Sequence, residues 1–335
     1  MRSDVSTPRN RPVMVGVNGS RICPALVDVA VTEAARYQVP LIIVHVWPGR
    51  YTGAYRGRGT VPSRADAQRL LNLVAGRARL IQAHVPVSTE LLDGGAANLL
   101  TEASGHARLL VLGHRDEAYT RPAWGSTTAY LAYHSACPLL IYRGAVPSEG
   151  PIVVATSARP DSDATLGFAF ERAALVKAPL VALHMWARPG AADGTPPAVR
   201  PGAYAEERAV AAQALAETLA RWTTRFPDVA VERLVVNDFE RAYTIERALR
   251  RGRLMVAGIG RSGSFAELLC SARQATAGVR RTSPTLLVPP STSMMPDPLT
   301  ASVISPNAPG KGAAYGVEGP VMAGPSVLPW STDRS

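Results

Sequence analysis

The residues best suited to chemistry in this chain are Gly113 and the run Gly125-Ser126-Thr127-Thr128. Gly113 directly follows the apolar run LLVL at 109–112, which reads as a short parallel strand covered on both faces. A backbone can turn there with no Cβ in the way. The second glycine opens a segment reaching to about His134, and Pro138 precedes a further apolar strand, Leu139–Tyr142. A glycine followed by hydroxyl residues at the start of a helix makes an anion site, because free N–H groups and the positive end of the dipole face one way. The histidines His45 and His184 sit at strand ends with no triad partner or second metal ligand nearby in sequence, so they read as packing residues.

Those residues need a scaffold, and alternating strand and helix patterns supply one. VMVGV at 13–17 is a β-branched run that ends at Asn18-Gly19-Ser20, a turn. Pro24 suits the first turn of a helix, which carries Leu26, Val29, Ala30 and Ala34 on one side. LIIVHV at 41–46 is the next strand, and 65–84 is a helix with Leu70, Leu71, Val74, Ala78 and Ile81 directed at the core. The alternating VPVSTEL at 85–91 reads as a sheet-edge strand, and a short helix follows at about 97–104. Continuous apolar strands alternating with helices imply a parallel, doubly wound α/β sheet.

The second half repeats the first. LIIVHVW at 41–47 aligns with LVALHMW at 180–186 at a shift of 139, as does VMVGVN at 13–18 with IVVATS at 152–157. Val85 meets Val229 at 144, Gly113 meets Gly258 at 145, and Pro138 meets Pro284 at 146. Collinear matches with a slowly growing shift mark a duplicated domain. In the second copy Leu215, Leu219, Trp222 and Phe226 form a helical stripe.

Composition bounds the rest. The 335 residues suffice for two domains. No apolar run approaches the length of about 20 that spans a bilayer, and the polar start MRSDVSTPRNRP is unlike a secretory signal. Cys23, Cys137 and Cys270 lack metal spacing and cannot all pair, which fits a reducing cytoplasmic setting. The net charge of +10 comes almost wholly from arginine, since Lys177 and Lys311 are the only lysines. The arginines are scattered, which argues against nucleic acid as the main partner. Arg50, Arg56 and Arg58 lie in a Gly- and Tyr-rich loop that reads as surface. Past Pro290 a Pro-, Gly-, Ser- and Ala-rich tail cannot bury enough to order itself. The expected layout is a flexible arm at 1–11, domains at 12–145 and 151–290, and a disordered tail at 291–335.

The span from Gly113 through Gly125-Ser126 to Cys137-Pro138-Leu139-Leu140-Ile141 resembles the C-terminal half of a universal stress protein domain. Asp116 stands where that pattern has its second glycine, and the intervening loop is one residue shorter. The resemblance implies two tandem Rossmann-like domains of the adenine nucleotide alpha hydrolase-like type, each a five-stranded parallel sheet in the order 3-2-1-4-5. It also implies packing of the copies as an intramolecular pseudo-dimer, with further homodimer formation. ATP with Mg²⁺ would bind domain 1 at Asn18, Val46, Gly113, Gly125, Ser126 and Thr127. Asn18 replaces the aspartate of ATP-binding members and keeps a carbonyl acceptor and an NH2 donor. Domain 2 has Ser157 there and Cys270-Ser271 in place of Gly-Ser, so its site reads as degenerate. Three functions follow: a non-enzymatic stress-response regulator that binds ATP, a nucleotide-free scaffold acting through dimerisation and tail contacts, and an ATP-using enzyme. The last lacks the Ser-Gly-Gly-x-Asp-Ser and His-x-Gly-His motifs of related sheets.

Overall fold

The structure is a computed structural model, described here over residues 10–47, 63–113, 127–144, 146–159, 162–186, 203–237, 241–259 and 283–289. Gly125, Ser126, Asp116, the loop arginines, Cys270-Ser271 and the expected tail lie outside those residues. Asn10 and Arg11 are the described part of the expected arm, and Arg11 Nη1 donates to the Gly105 carbonyl at 3.0 Å.

The first half runs β1 (Val13–Val17), α1 (Cys23–Tyr37), β2 (Leu41–Trp47), α2 (Arg64–Ile81), β3 (Val87–Asp93), α3 (Ala96–Ser104), β4 (Leu109–Gly113), α4 (Thr127–His134) and β5 (Leu139–Tyr142). The second runs β6 (Ile152–Thr156), α5 (Asp163–Val176), β7 (Leu180–Trp186), α6 (Ala203–Arg225), β8 (Val231–Asn237), α7 (Arg241–Arg251), β9 (Leu254–Gly258) and β10 (Thr285–Val288). All ten strands join one sheet in the order β3-β2-β1-β4-β5-β10-β9-β6-β7-β8. Read inward from its outer edge to the middle, each half has the order 3-2-1-4-5, all parallel within itself. The halves meet where β5 and β10 pair antiparallel.

The registers repeat as the internal alignment requires. Val13 pairs with Leu41 in the first half and Ile152 with Leu180 in the second, while Leu41 faces Val87 and Leu180 faces Val231. The inner strands β4, β5, β6, β9 and β10 are buried almost throughout, because helices cover both faces. The edge strand β3 alternates between half-buried and exposed. It starts at Val87, two residues later than the pattern suggested. Pro86 has no N–H for the ladder, and the Val85 N–H turns back to the Gln82 carbonyl.

Local signals explain the helix limits. A capping box fixes the start of α2, with Ser63 Oγ accepting from the Asp66 N–H and the Asp66 carboxylate accepting from the Ser63 N–H. Its buried stripe is Ala67, Leu71, Val74, Ala75 and Ala78, whereas Ile81, on the last residue of the helix, is exposed. Pro24 stands in the first turn of α1. Helices α1 and α5 both stop at a left-handed residue, Gln38 and Lys177. One apolar core packs α1, α2, α5 and α6 against one face of the sheet and includes residues of both halves. A second packs α3, α4 and α7 against the other face.

Candidate functional site

In the first half α1 and α4, which follow β1 and β4, pack on opposite faces of the sheet, so the carboxyl ends of these two neighbouring strands mark its switch point. In the first half this crest collects Asn18, just past β1, His45 and Val46 near the end of β2, Gly113 at the end of β4, and Thr127 at the start of α4. Thr128 Oγ1 donates to the Gly113 carbonyl at 3.2 Å, which holds the beginning of α4 against the end of β4. The described expected site residues, Asn18, Val46, Gly113 and Thr127, therefore fall on one edge of the sheet. A concavity of about 310 Å³, lined by Ala35, Gln38, Val39, His84, Val85 and Pro86, lies instead at the amino ends of the strands, away from it.

Asn18 is exposed, and its Oδ1 accepts from the Ser20 N–H at 3.0 Å and from the Cys23 thiol at 3.4 Å. Both lone-pair directions of that carbonyl are engaged within the loop. The group it offers outward is the NH2 donor. His45 Nδ1 lies 2.7 Å from the Val17 carbonyl and His184 Nδ1 lies 3.0 Å from the Thr156 carbonyl. A carbonyl only accepts, so each ring carries its proton on Nδ1 and ties the second strand of its half to the first. This is the same structural role in both copies.

Gly113 has a packing reason beside any binding one. A Cβ there would come within 2.5 Å of Ile22 Cδ1 at the foot of α1, and one on Gly258 within 2.9 Å of Thr165 Oγ1 on α5. Both halves need glycine at that position so that the first helix can close on the strand end. Gly113 alone therefore does not separate a live site from a decayed one. In the second half hydroxyls knit the corresponding crest together: Ser157 Oγ and Ser162 Oγ are 2.7 Å apart, and Thr156 Oγ1 accepts from the Ala158 N–H at 3.1 Å. Among the described residues no cluster of three or more His, Cys, Asp or Glu could hold a metal ion, and no helix is long and apolar enough to cross a membrane.

The cysteines of the first half are both buried. Burial pushes the Cys137 thiol up to about 11, with Ser135 opposing the shift only in part. Cys137 is therefore expected to resist iodoacetamide at pH 8 in the native protein and to react only after denaturation. Peptide mapping of the adducts checks this, and rapid native labelling of Cys137 would contradict the burial.

The fold defines a class: paired, doubly wound α/β domains joined through one continuous sheet. The sequence profile of the Universal stress protein family matches residues 9–143 and 150–272, one match in each half. The chain belongs to that family. A universal stress protein of Mycolicibacterium smegmatis is 28% identical over 292 residues, covering 83% of this chain and 97% of that protein. One from Mycobacterium tuberculosis is 31% identical over 276 residues, covering 81% and 95%. The crystal structure of a universal stress protein from Archaeoglobus fulgidus superposes with a TM-score of 0.58 at 14% identity, covering 84% of this chain and 96% of that one. That likeness concerns the fold.

Proposed function

We infer that this protein is a non-enzymatic regulatory member of its family, acting in the cytoplasmic stress response, whose first domain takes an adenine nucleotide at the crest. The observation that carries this reading is the juncture of β4 and α4, where Thr128 clamps a helix N-terminus onto Gly113 beside the switch point. ATP would place its base near Asn18 and Val46. Its phosphates, with Mg²⁺, would lie against Gly113, Gly125, Ser126 and Thr127, where free helix N–H groups and hydroxyls favour negative charge. The nucleotide brings charge and a hydrolysable bond, and this reading assigns no residue to its turnover. Domain 2, with Ser157 and Cys270-Ser271, serves as the structural partner.

One observation favours the nucleotide-free scaffold instead. The Asn18 carbonyl is already engaged by Ser20 and Cys23, so an adenine amino group meets a donor where family members with aspartate offer an acceptor. Calorimetric titration of Mg²⁺–ATP into the full-length chain and into Thr127→Asp and Asp116→Gly variants separates the readings. The regulatory reading expects about one ATP per chain, with loss of binding in Thr127→Asp. It also expects tighter binding in Asp116→Gly. A like charge about 4 Å from a phosphate costs on the order of 4 kcal/mol at an effective dielectric near 20, so the gain is at most about three decades. Silence from both the wild type and Asp116→Gly sinks nucleotide binding and leaves the scaffold.

A further inference from the structure

The antiparallel seam pairs Leu140 of β5 with Leu286 of β10, with Leu139 facing Leu287 and Ile141 facing Thr285 on either side. The strands of the two halves correspond here at a shift of 146, so Leu140 and Leu286 are each other's equivalents. A residue that faces its own equivalent lies on the two-fold axis relating the copies. Along α1 and α5 the shift is 139, as it is for β1 with β6 and for β2 with β7. Glu33 plus 139 is 172, and Glu33 is bonded to Arg172. Arg172 Nη2 reaches Glu33 Oε2 at 2.5 Å, with the two side chains 4% and 3% exposed. A second pair of equivalents thus meets on the axis, and it is a carboxylate against a guanidinium.

Its surroundings are rich in cations. Arg36 Nη1 donates to Glu33 Oε1 at 2.5 Å, and Arg108 stacks on the Tyr37 ring at 4.4 Å with Arg172 at 5.8 Å from the same ring. Arg253, the equivalent of Arg108, has its guanidinium held below the usual arginine range by burial and then by repulsion from Arg36 and Arg172. Burial alone would lower the Arg172 guanidinium too, but Glu33 and Tyr37 hold it above that range. Glu33 is thus the carboxylate that two of these arginines share.

We propose that Glu33 and Arg172 form a partner-selection device that makes each half accept the unlike half and reject its own kind. In a pairing of two first domains, the axis would bring together two Glu33 carboxylates, each keeping its own Arg36 with Arg108 on the Tyr37 ring nearby but losing the Arg172 guanidinium bonded to it. In a pairing of two second domains it would bring together two Arg172 guanidiniums beside two Arg253 side chains, with the neighbouring Glu171 as the nearby carboxylate and none bonded to Arg172 as Glu33 is. Buried like charges without a counter-ion are strongly disfavoured, and juxtaposed like charges are the usual means of rejecting a wrong partner. The surface recognised by the α1 and β5 face is therefore the α5 and β10 face of the same sequence, and pairing of like halves between chains is blocked at the axis.

The full-length chain tests this through charge reversal. Glu33→Arg gives the axis the charges of a second-domain pair, and Arg172→Glu gives it those of a first-domain pair. Urea unfolding should show Glu33→Arg shifting the folding equilibrium by about a hundredfold or more, and Arg172→Glu by less because Arg36 remains. The combined Glu33→Arg/Arg172→Glu chain should return to within about tenfold of wild type. Failure of the combined reversal to recover beyond either single change overturns the proposal, as does indifference of the protein to both single changes. Where a single reversal yields only aggregate, the combined chain decides alone: a folded, near-wild-type protein supports selection by charge complementarity, and an aggregated one overturns it.

Discussion

Leu139→Asp is expected to leave the protein largely unfolded at pH 7 and to let it fold again near pH 4. Leu139 sits in β5 beside Leu110 of β4 and opposite Leu287 of β10, and all three are fully buried in a row that crosses from one half into the other. Losing the leucine removes about 2–3 kcal/mol of apolar burial. The new carboxyl group enters the apolar cluster that also holds Leu131, Cys137 and Met255, all buried. Desolvation raises the pKa of such a group by as much as about 3–5 units. The sign follows from linkage. Well below pH 4 both folded and unfolded states hold the proton, and near pH 4 the linkage penalty is only about 0.5 kcal/mol. As pH rises above the unfolded value of about 3.9, the unfolded chain ionises while the folded one resists, so stability falls by about 1.36 kcal/mol per unit. By pH 7 the penalty is about 4 kcal/mol, and with the lost burial it rivals the whole stability of a typical domain. Circular dichroism from pH 4 to pH 7, with the wild type and Leu139→Asn as controls, reads the effect. A Leu139→Asp protein as stable at pH 7 as at pH 4 would mean that water or a cation reaches the seam.

That seam was the part of the fold least legible in the sequence. The parallel, doubly wound character of each half could be read because buried parallel strands are continuous runs of apolar residues and the edge strand alternates, whereas its strand order came from the family resemblance. The duplication could be read because equivalent strands keep their registers, down to His45 and His184 bonding the same backbone position. The pairing of β5 with β10 has no such signal. Both strands are buried along their whole length, and an apolar run looks the same whether its next neighbour is parallel, antiparallel or absent. Nor does the helical pattern of α1 reveal that Glu33 is buried, since its partner comes from 139 residues away. At the crest, the family resemblance grouped Asn18, Val46, Gly113 and Thr127. Side-chain commitments were hidden: the Asn18 carbonyl belongs to its own loop, and Gly113 answers to Ile22 as well as to any ligand. Local pattern reports what a residue is able to bond, and packing determines what it does bond.

The two halves reach the same architecture with different fillings, and this leads to the other large expected effect. Phe170→Ala should cost about 3–5 kcal/mol, the usual range for truncating a buried phenylalanine. Phe170 is fully buried on α5, with ring centroids 6.0 Å from Trp222 and 5.8 Å from Phe226, so part of the loss is aromatic contact beyond area burial. Gly167, one turn earlier, admits the Trp222 ring, since a Cβ there would lie 2.7 Å from Cη2. At the equivalent places the first half has Val31 for Phe170, Ala78 for Trp222 and Gln82 for Phe226, while Asp28 replaces Gly167 and takes two hydrogen bonds at 2.6 Å from Arg77. One helix pair is joined by a polar clamp over small residues, the other by an aromatic cluster. Val31 is also fully buried, yet Val31→Ala removes only two methyl groups, worth about 2 kcal/mol with the cavity included. Urea unfolding followed by tryptophan fluorescence compares the two substitutions. Equal, small losses would show that α6 collapses onto α5 and fills the space. A loss at Phe170 about twice that at Val31 would show that the aromatic cluster, which cannot shrink around a missing ring, carries the packing of the second half.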